Sequence, residues 1–279
     1  QAMLNGSTWD DTIAQTCLRQ VDPALPLLCQ ADRLPRGQTP WVSSPSDRLP
    51  NLSPIRKLCQ MAQIRARAQT RSGHADDALH TALITLSAGH HVEESRGTII
   101  HYLTGISIKT SSLGTIHDLV ADGGASDKML RSALRSVATS RASKTSLTLA
   151  FGSELRVFDS ALLIMKNEGR ESMLNDSPRQ WLRPLARLPL LFKVNRTKQI
   201  YADFLRASSA MIDQPLAALQ SNEELNDFIS KQVKAKPFDP DNILGRIFLG
   251  IVTPTTPGIL KARLSDQSRI SATEAFLAL

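Results

Sequence analysis

The sequence predicts an all-α protein, an irregular array of helical hairpins with about ten helices and a proline-rich N-terminal arm. Apolar residues recur every three or four positions in every segment long enough to judge, which is the period of a helix. The 279 residues are 42% apolar, enough to form a core. Seven of the fifteen prolines lie at or before Pro54, and none lies between Ile55 and Ser177.

The distribution of prolines predicts the domain boundary. We expect a proline-rich arm over residues 1–54 with one short helix, and a helical domain over residues 55–279. Ser7 is the expected N-cap of the short helix, because an apolar stripe at helical spacing follows it. The stripe consists of Trp9, Ile13, Cys17 and Val21. The rest of the arm, from Pro23 to Pro54, is expected to be extended or irregular.

Two stripes separated by Ser72 and Gly73 predict an antiparallel helical hairpin at the start of the helical domain. The first stripe is Ile55, Leu58, Ala62 and Ala66, and the second is Ala78, Leu79, Ala82, Leu83 and Leu86.

Three more helices are expected in the middle of the chain. Thr98 to Ala121 is rich in Thr, Ser and Ile, which favour strands, but its apolar residues keep a helical period. Gly123 and Gly124 should end this helix, and Ser126 should cap the next one. A further helix is predicted over Leu147 to Met165.

In the last third of the chain, prolines alternate with short stripes of apolar residues. Trp181 to Phe192 holds two prolines and is predicted to be a buried irregular crossing. Asn195 is the expected N-cap of the following helix, and Pro215 and Asp241 should open two more. The segment from Ser271 has no helix terminator, so we expect the chain to be cut within a helix.

Lysine and arginine exceed aspartate and glutamate by 33 to 26, and the formal net charge is +7. The excess is spread along the chain, which indicates a solvated basic surface. Lys128, Arg131 and Arg135 share one helix face and are the candidate contacts for an anionic polymer. Only 5% of the residues are aromatic, so nucleic acid is not an expected partner.

The common catalytic signatures are absent from the sequence. It contains no GxSxG, SxxK, Walker GK[ST], HExxH or GxGxxG motif. We therefore assign no catalytic residue and no cofactor. The pairs His90 with Glu93 and His91 with Glu94 have the spacing of metal ligands, but solvated residues at a helix end explain them better, and no metal is assigned.

One carboxylate interrupts an apolar helix and is the candidate site residue. Glu154 lies beside Phe151, Leu155 and Phe158, so it needs a partner if it is buried. Arg196 and Arg246 are the candidate partners. A structural ion pair is the first interpretation, and a pocket acid with a raised pKa is the alternative.

The three cysteines contain no CxxC pair. A disulfide between Cys17 and Cys29 and three separate thiols are both compatible with the sequence.

Four phrases in order carry a resemblance to an uncharacterised family of bacterial proteins. They are RARAQTRSG (65–73), TIIHYLTGI (98–106), FKVNRTK (192–198) and NILGR (242–246). The resemblance implies an all-helical fold, an N-terminal signal or membrane anchor and no assigned activity. The first hairpin also shares its small residues Ala66, Gly73 and Ala78 with the tetratricopeptide helix pair, but the 34-residue period does not recur.

These observations favour a non-catalytic binding or scaffold protein of the bacterial cell envelope, exported to the periplasm or anchored in the membrane. Its expected partner is another protein or envelope component, and a removed N-terminal segment would supply any membrane association, since the chain begins at Gln1 without an initiator methionine. The alternatives are an enzyme with a pocket lined by Glu154 and arginines, and a binder of an anionic polymer. The oligomeric state stays open.

Overall fold

The structure is a computed structural model that describes residues 9–34, 37, 52–168, 192–212, 214–215, 242, 245, 249 and 256–279. These residues form helices and no strand, so the predicted all-α class is confirmed. Nine helices are described, in this order: α1 Asp11–Val21, α2 Leu25–Asp32, α3 Leu52–Arg71, α4 Ala75–Glu93, α5 Ile99–Asp122, α6 Asp127–Thr139, α7 Lys144–Glu168, α8 Val194–Ala210 and α9 Thr256–Leu277.

The chain divides into two compact units. Unit 1 comprises Gln1–Pro40, Leu49–Ser146 and Ala262–Leu279, and unit 2 comprises Trp41–Arg48 and Leu147–Lys261. This division differs from the predicted boundary at residue 54, because the N-terminal helices and the end of α9 join the same unit as α3 to α6.

The core of unit 1 lies between α3, α4, α5, α6 and the end of α9. The predicted hairpin of α3 and α4 is confirmed, and Gly73 adopts φ +81° in the turn between them. The buried apolar residues of this core are Ala66, Ala78, Leu79, Ala82, Leu83, Leu86, Leu113, Ile116, Leu119, Ala133, Val137 and Ile270.

The ends of α5 and α6 follow the predicted capping pattern. Thr98 forms a capping box with His101 at the start of α5, and Gly123 follows its end with φ +77°. Ser126 caps α6, since its side chain accepts a hydrogen bond from the Met129 backbone N at 3.3 Å.

The N-terminal arm departs from the prediction in two ways. The N-cap of α1 is Asp10 and not Ser7, because the Asp10 carboxylate accepts from the backbone N of Ile13 at 3.0 Å. Ile13 is 52% exposed, and the buried residue of α1 is Ala14.

The second departure is α2, where extended or irregular chain was predicted. Pro26 occupies the first turn of this helix, where its missing N–H is not needed. Leu25 and Leu28 are buried against Ala62 of α3 and Ile84 of α4, so tertiary packing stabilises a helix of only eight residues.

In unit 2, the helix predicted after Phe192 is confirmed as α8, but Asn195 does not cap it. The N-cap is Lys193, and Asn195 is exposed within the first turn. The side chain of Asn242 instead accepts from the backbone N of Lys193 at 2.7 Å, and its Nδ2 donates to Thr197 Oγ1 at 2.9 Å. Two phrases singled out in the sequence therefore meet in a packing contact.

Candidate functional site

A buried cluster of charges surrounds Lys109 in unit 1. Lys109 lies on α5 and is fully buried. Its Nζ contacts Glu93 Oε2 of α4 at 2.6 Å, Asp266 Oδ2 of α9 at 2.6 Å and the backbone O of Ser140 at 3.0 Å. Asp266 and the Ser140 carbonyl accept hydrogen bonds from the ammonium group, whereas Glu93 pairs with it by charge alone. We call these four residues the lysine cluster.

Two glycines provide the space for this cluster between α4 and α5. A Cβ atom on Gly89 would lie 2.9 Å from Cγ of Lys109, and one on Gly105 would lie 2.5 Å from the backbone N of Glu93. Each helix therefore places a glycine opposite the charged residue of the other helix. The missing side chains let the two backbones approach until Lys109 reaches Glu93.

Arg263 adds a second cation beside the cluster. It lies on α9 one turn before Asp266, is 5% exposed, and donates from Nη1 to Tyr102 Oη at 3.2 Å and to the Ser143 backbone O at 3.3 Å. Together with Lys109 it balances the formal charge of the two buried carboxylates, which is the condition for burying ionised groups at acceptable cost.

Burial raises the pKa of Glu93 to about 7, and the attraction of Lys109 offsets only part of this effect. The cause is desolvation, because the carboxylate loses water when it enters the interior. Burial also raises the pKa of Tyr102. Glu93 is therefore the member of the cluster whose charge changes near neutral pH.

We expect the free energy of unfolding to fall as the pH rises from about 4.5 to about 7. A carboxyl whose pKa is higher in the folded than in the unfolded state binds more protons when folded, so deprotonation favours unfolding. The loss is on the order of 3 kcal/mol at about 1.4 kcal/mol per pKa unit. Urea unfolding between pH 5 and 8 measures it.

Glu93→Gln is the matched variant for this prediction, because it keeps an oxygen acceptor for Lys109 without a titrating proton. Its stability should match that of the wild type near pH 5 and exceed it near pH 8. If Glu93→Gln is instead the less stable protein near pH 8, the ion pair outweighs burial and the predicted sign is wrong.

A polar cleft lies between α4 and α6, beside the lysine cluster. Its volume is about 310 Å³, and Leu83 and Leu86 contribute apolar walls. We call it the hydroxyl cleft, because its lining includes five hydroxyl side chains, Ser87, Ser132, Ser136, Thr139 and Ser140. His80, His90 and Asp32 complete its polar lining.

An apolar groove of about 380 Å³ lies between α2, α3 and α4. Leu25, Leu28, Ala62 and Ile84 line it, as does the thiol-bearing Cys29. We call it the α2 groove. An ion pair between Arg65 and Asp22, with 2.5 Å between Nη1 and Oδ1, lies at its lining and is partly exposed. The groove therefore has an apolar base with a charged edge.

Neither Glu154 nor Arg196 lines the hydroxyl cleft or the α2 groove, whereas Cys29 lines the α2 groove. Glu154 is half-buried on α7 in unit 2, where it contributes to a raised pKa of the buried Tyr201, although burial is the larger cause. Arg196 is exposed on α8, and Arg246 lies outside the described residues. The pairing of Glu154 with either arginine stays a prediction.

The basic face of α6 is solvated in the structure. Lys128, Arg131 and Arg135 are exposed. Arg131 lies 3.9 Å from Asp127, and both side chains are more than three-quarters exposed, at 77% and 88%.

Replacing Lys128, Arg131 and Arg135 with Gln should leave weak DNA binding almost unchanged. A dedicated phosphate contact adds about 0.9 to the slope of log affinity against log salt, and a diffuse basic surface has no such dependence on three residues. Fluorescence anisotropy with a labelled duplex, at salt concentrations between about 50 and 200 mM, measures the slope. A loss of about two or more in slope would establish a recognition helix.

The histidine and glutamate pairs at the end of α4 are not simply solvated. Glu93 is 3% exposed and is paired with Lys109, which corrects the interpretation as a solvated helix end. Glu94 accepts from the backbone N of Ser143 at 2.9 Å. No group of three His, Cys, Asp or Glu side chains suited to a metal occurs among the described residues.

All three cysteines are free thiols in the structure, so the Cys17 to Cys29 disulfide that the sequence left open is not formed. Cys29 packs against the buried cluster of Leu25, Leu28, Ala62 and Ile84, and Cys59 is buried. The arm is held to the helical body by apolar packing and by the Arg65 to Asp22 ion pair.

The lysine cluster was not predicted from the sequence. A signal was present, because Lys109 interrupts the stripe between Ile106 and Leu113 at helical spacing, and a charge on an apolar face requires a partner. No local signal points to Asp266, which follows Lys109 by 157 residues.

The comparisons with known proteins found no matching family model, no matching curated protein and no matching solved structure. Within the described residues, none of the helices has the length and hydropathy required to cross a membrane. The hydroxyl cleft, the α2 groove and the lysine cluster are therefore the features that bear on function.

Proposed function

We propose that this chain is a non-catalytic binding component of the bacterial cell envelope, and that it holds an apolar segment of another protein in the α2 groove. The observation that carries the proposal is the apolar lining of this groove between α2, α3 and α4. Concave apolar surfaces with a few polar groups at the edge are the usual form of a binding site.

A protein segment fits this surface better than a small molecule does. Pro26 is exposed, and it lines the groove on the helix that forms one wall. An exposed apolar side chain at the edge of an apolar groove extends the surface that a partner could cover. A small ligand would leave it in water, whereas a peptide or helix would bury it.

The charged edge of the groove supports specific recognition. Arg65 and Asp22 are 40% and 54% exposed in their side chains, so both can contact a partner at the rim. Polar and charged groups at the rim contribute to register and partner choice more than to affinity.

The lysine cluster supports a structural role and not a catalytic one. Lys109 and Asp266 are buried, and the ammonium group donates to Asp266 and the Ser140 carbonyl and pairs with Glu93 inside the protein. A general acid or base must reach the proton that it transfers, directly or through one water. The envelope location is inferred from the sequence resemblance.

Site-specific photo-crosslinking in bacterial cells tests the partner. A photoreactive phenylalanine analogue at position 26 of the full gene product, which lines the groove, should give a discrete crosslinked species, and mass spectrometry should identify the partner as an envelope protein. Fractionation of the same cells should place the protein with the periplasm or membranes.

Ile100 provides the control position, because it is 52% exposed but lies on α5, outside the groove lining. The analogue at position 100 should not give the same species. Pro26→Asp, which places a carboxylate in the groove lining, should weaken binding of the purified partner at least about tenfold, and Ile100→Asp should not. Equal crosslinking at both positions, or equal binding by both variants, would reject the proposal.

A further inference from the structure

We propose that the hydroxyl cleft between α4 and α6 is a second binding site, and that it takes a small uncharged polyhydroxy compound such as a sugar or a cyclic polyol. Hydroxyl side chains face each other across the cleft: Ser87 on α4, and Ser132 and Ser136 on α6. Ser132 and Ser136 are four residues apart, so they share one face of α6.

The cleft offers hydrogen-bonding groups that the protein itself leaves unused. Ser87, Ser132 and Ser136 are half-buried, and their hydroxyls bond to no other residue in the described part of the chain. Nδ1 of His90 is buried and likewise has no hydrogen-bond partner among those residues. A buried polar group normally has a partner, so Nδ1 of His90 beside three open hydroxyls points to a ligand.

The charges around the cleft disfavour an anion. Among the residues that the structure describes, Asp32 is the only acid in the lining, and no lysine or arginine lines the cleft. Lys109 acts by its charge on the cleft residue His90 but is paired with Glu93 and Asp266. Burial and the positive charge of Lys109 lower the pKa of His90, so its neutral imidazole supplies no charge for an anion.

The lining of the cleft suits a neutral ligand with several hydroxyl groups. Serine hydroxyls donate and accept, a neutral imidazole accepts at one nitrogen, and a carboxylate such as Asp32 accepts from two hydroxyls at once. The apolar walls from Leu83 and Leu86 suit the C–H faces of a ring. A volume of about 310 Å³ is at the lower end of the range for small-molecule sites.

His80 and Ile84 line both the hydroxyl cleft and the α2 groove. The five hydroxyl side chains of the cleft do not line the groove, so the two proposals depend on different residues. A failure of either proposal therefore leaves the other standing.

Titration by NMR tests the proposal. Glucose, N-acetylglucosamine and myo-inositol are added separately to the ¹⁵N-labelled protein, and the backbone amides of His90, Ser132 and Ser136 are followed. Glucose 6-phosphate and glucosamine serve as charged probes of the same ring. At least one uncharged probe should give saturable shifts at these amides with a Kd of about 10 mM or below, and both charged probes should bind more weakly.

The variant Ser132→Ala/Ser136→Ala should weaken binding of that probe by about tenfold or more, because two hydrogen bonds are lost. Ser265→Ala/Ser268→Ala is the control, since these two serines are exposed on α9 and outside the cleft. The control should bind as the wild type does. The absence of saturable binding by every uncharged probe, tighter binding of a charged probe, or equal binding by the two variants would overturn the proposal.

Discussion

Lys109→Met should destabilise the protein by about 3 to 5 kcal/mol. The methionine keeps most of the packing against Gly89, where the lysine stem lies, but the ammonium group is lost. Glu93, Asp266 and the Ser140 carbonyl then remain buried without the cation that pairs with them. Urea unfolding at constant pH, followed by circular dichroism, measures the loss.

The variant Lys109→Met/Glu93→Gln separates charge from shape in this prediction. It leaves one buried carboxylate, Asp266, and one buried cation, Arg263, so the formal charges balance again and most of the lost stability should return. Residues in direct contact are not additive, and here the double variant should be more stable than the single one. A double variant no more stable than Lys109→Met would mean that packing, not an unbalanced charge, accounts for the loss.

Gly105→Ala should destabilise the protein by roughly 1 to 3 kcal/mol, even though alanine favours helices. The new Cβ atom would lie 2.5 Å from the backbone N of Glu93 and 2.7 Å from its Cα, and these are main-chain atoms that cannot rotate away. The two helices must separate, which also lengthens the ion pair between Glu93 and Lys109. Thermal and urea unfolding measure the effect.

Gly114→Ala is the matched control on the same helix. Gly114 is exposed, and a Cβ atom there would have no neighbour within 4 Å. This variant should be more stable than the wild type by roughly 0.5 to 1 kcal/mol, because alanine loses less backbone entropy on helix formation. If both glycine variants change the free energy of unfolding in the same direction, Gly105 is not required for the close approach of α4 and α5.

The helices in the core of unit 1 follow from local signals in the amino-acid sequence. The period of the apolar residues specifies which face of α3, α4 and α5 is buried, and Gly73, Gly123 and Ser126 specify where helices end or begin. These signals are local, because helical hydrogen bonds and caps join residues at most a few positions apart. For the same reason, strand-favouring residues in Thr98–Ala121 did not override the helical period.

The other features of the fold depend on packing between helices that lie far apart in the chain. The α2 helix depends on packing of Leu25 and Leu28 against α3 and α4, and the amide side chain at the start of α8 comes from Asn242 and not from the adjacent Asn195. The lysine cluster joins residues from α4, α5 and α9 and the turn after α6. Sequence period shows that a position is buried but not which distant partner faces it, because that depends on how helices far apart in the chain pack together.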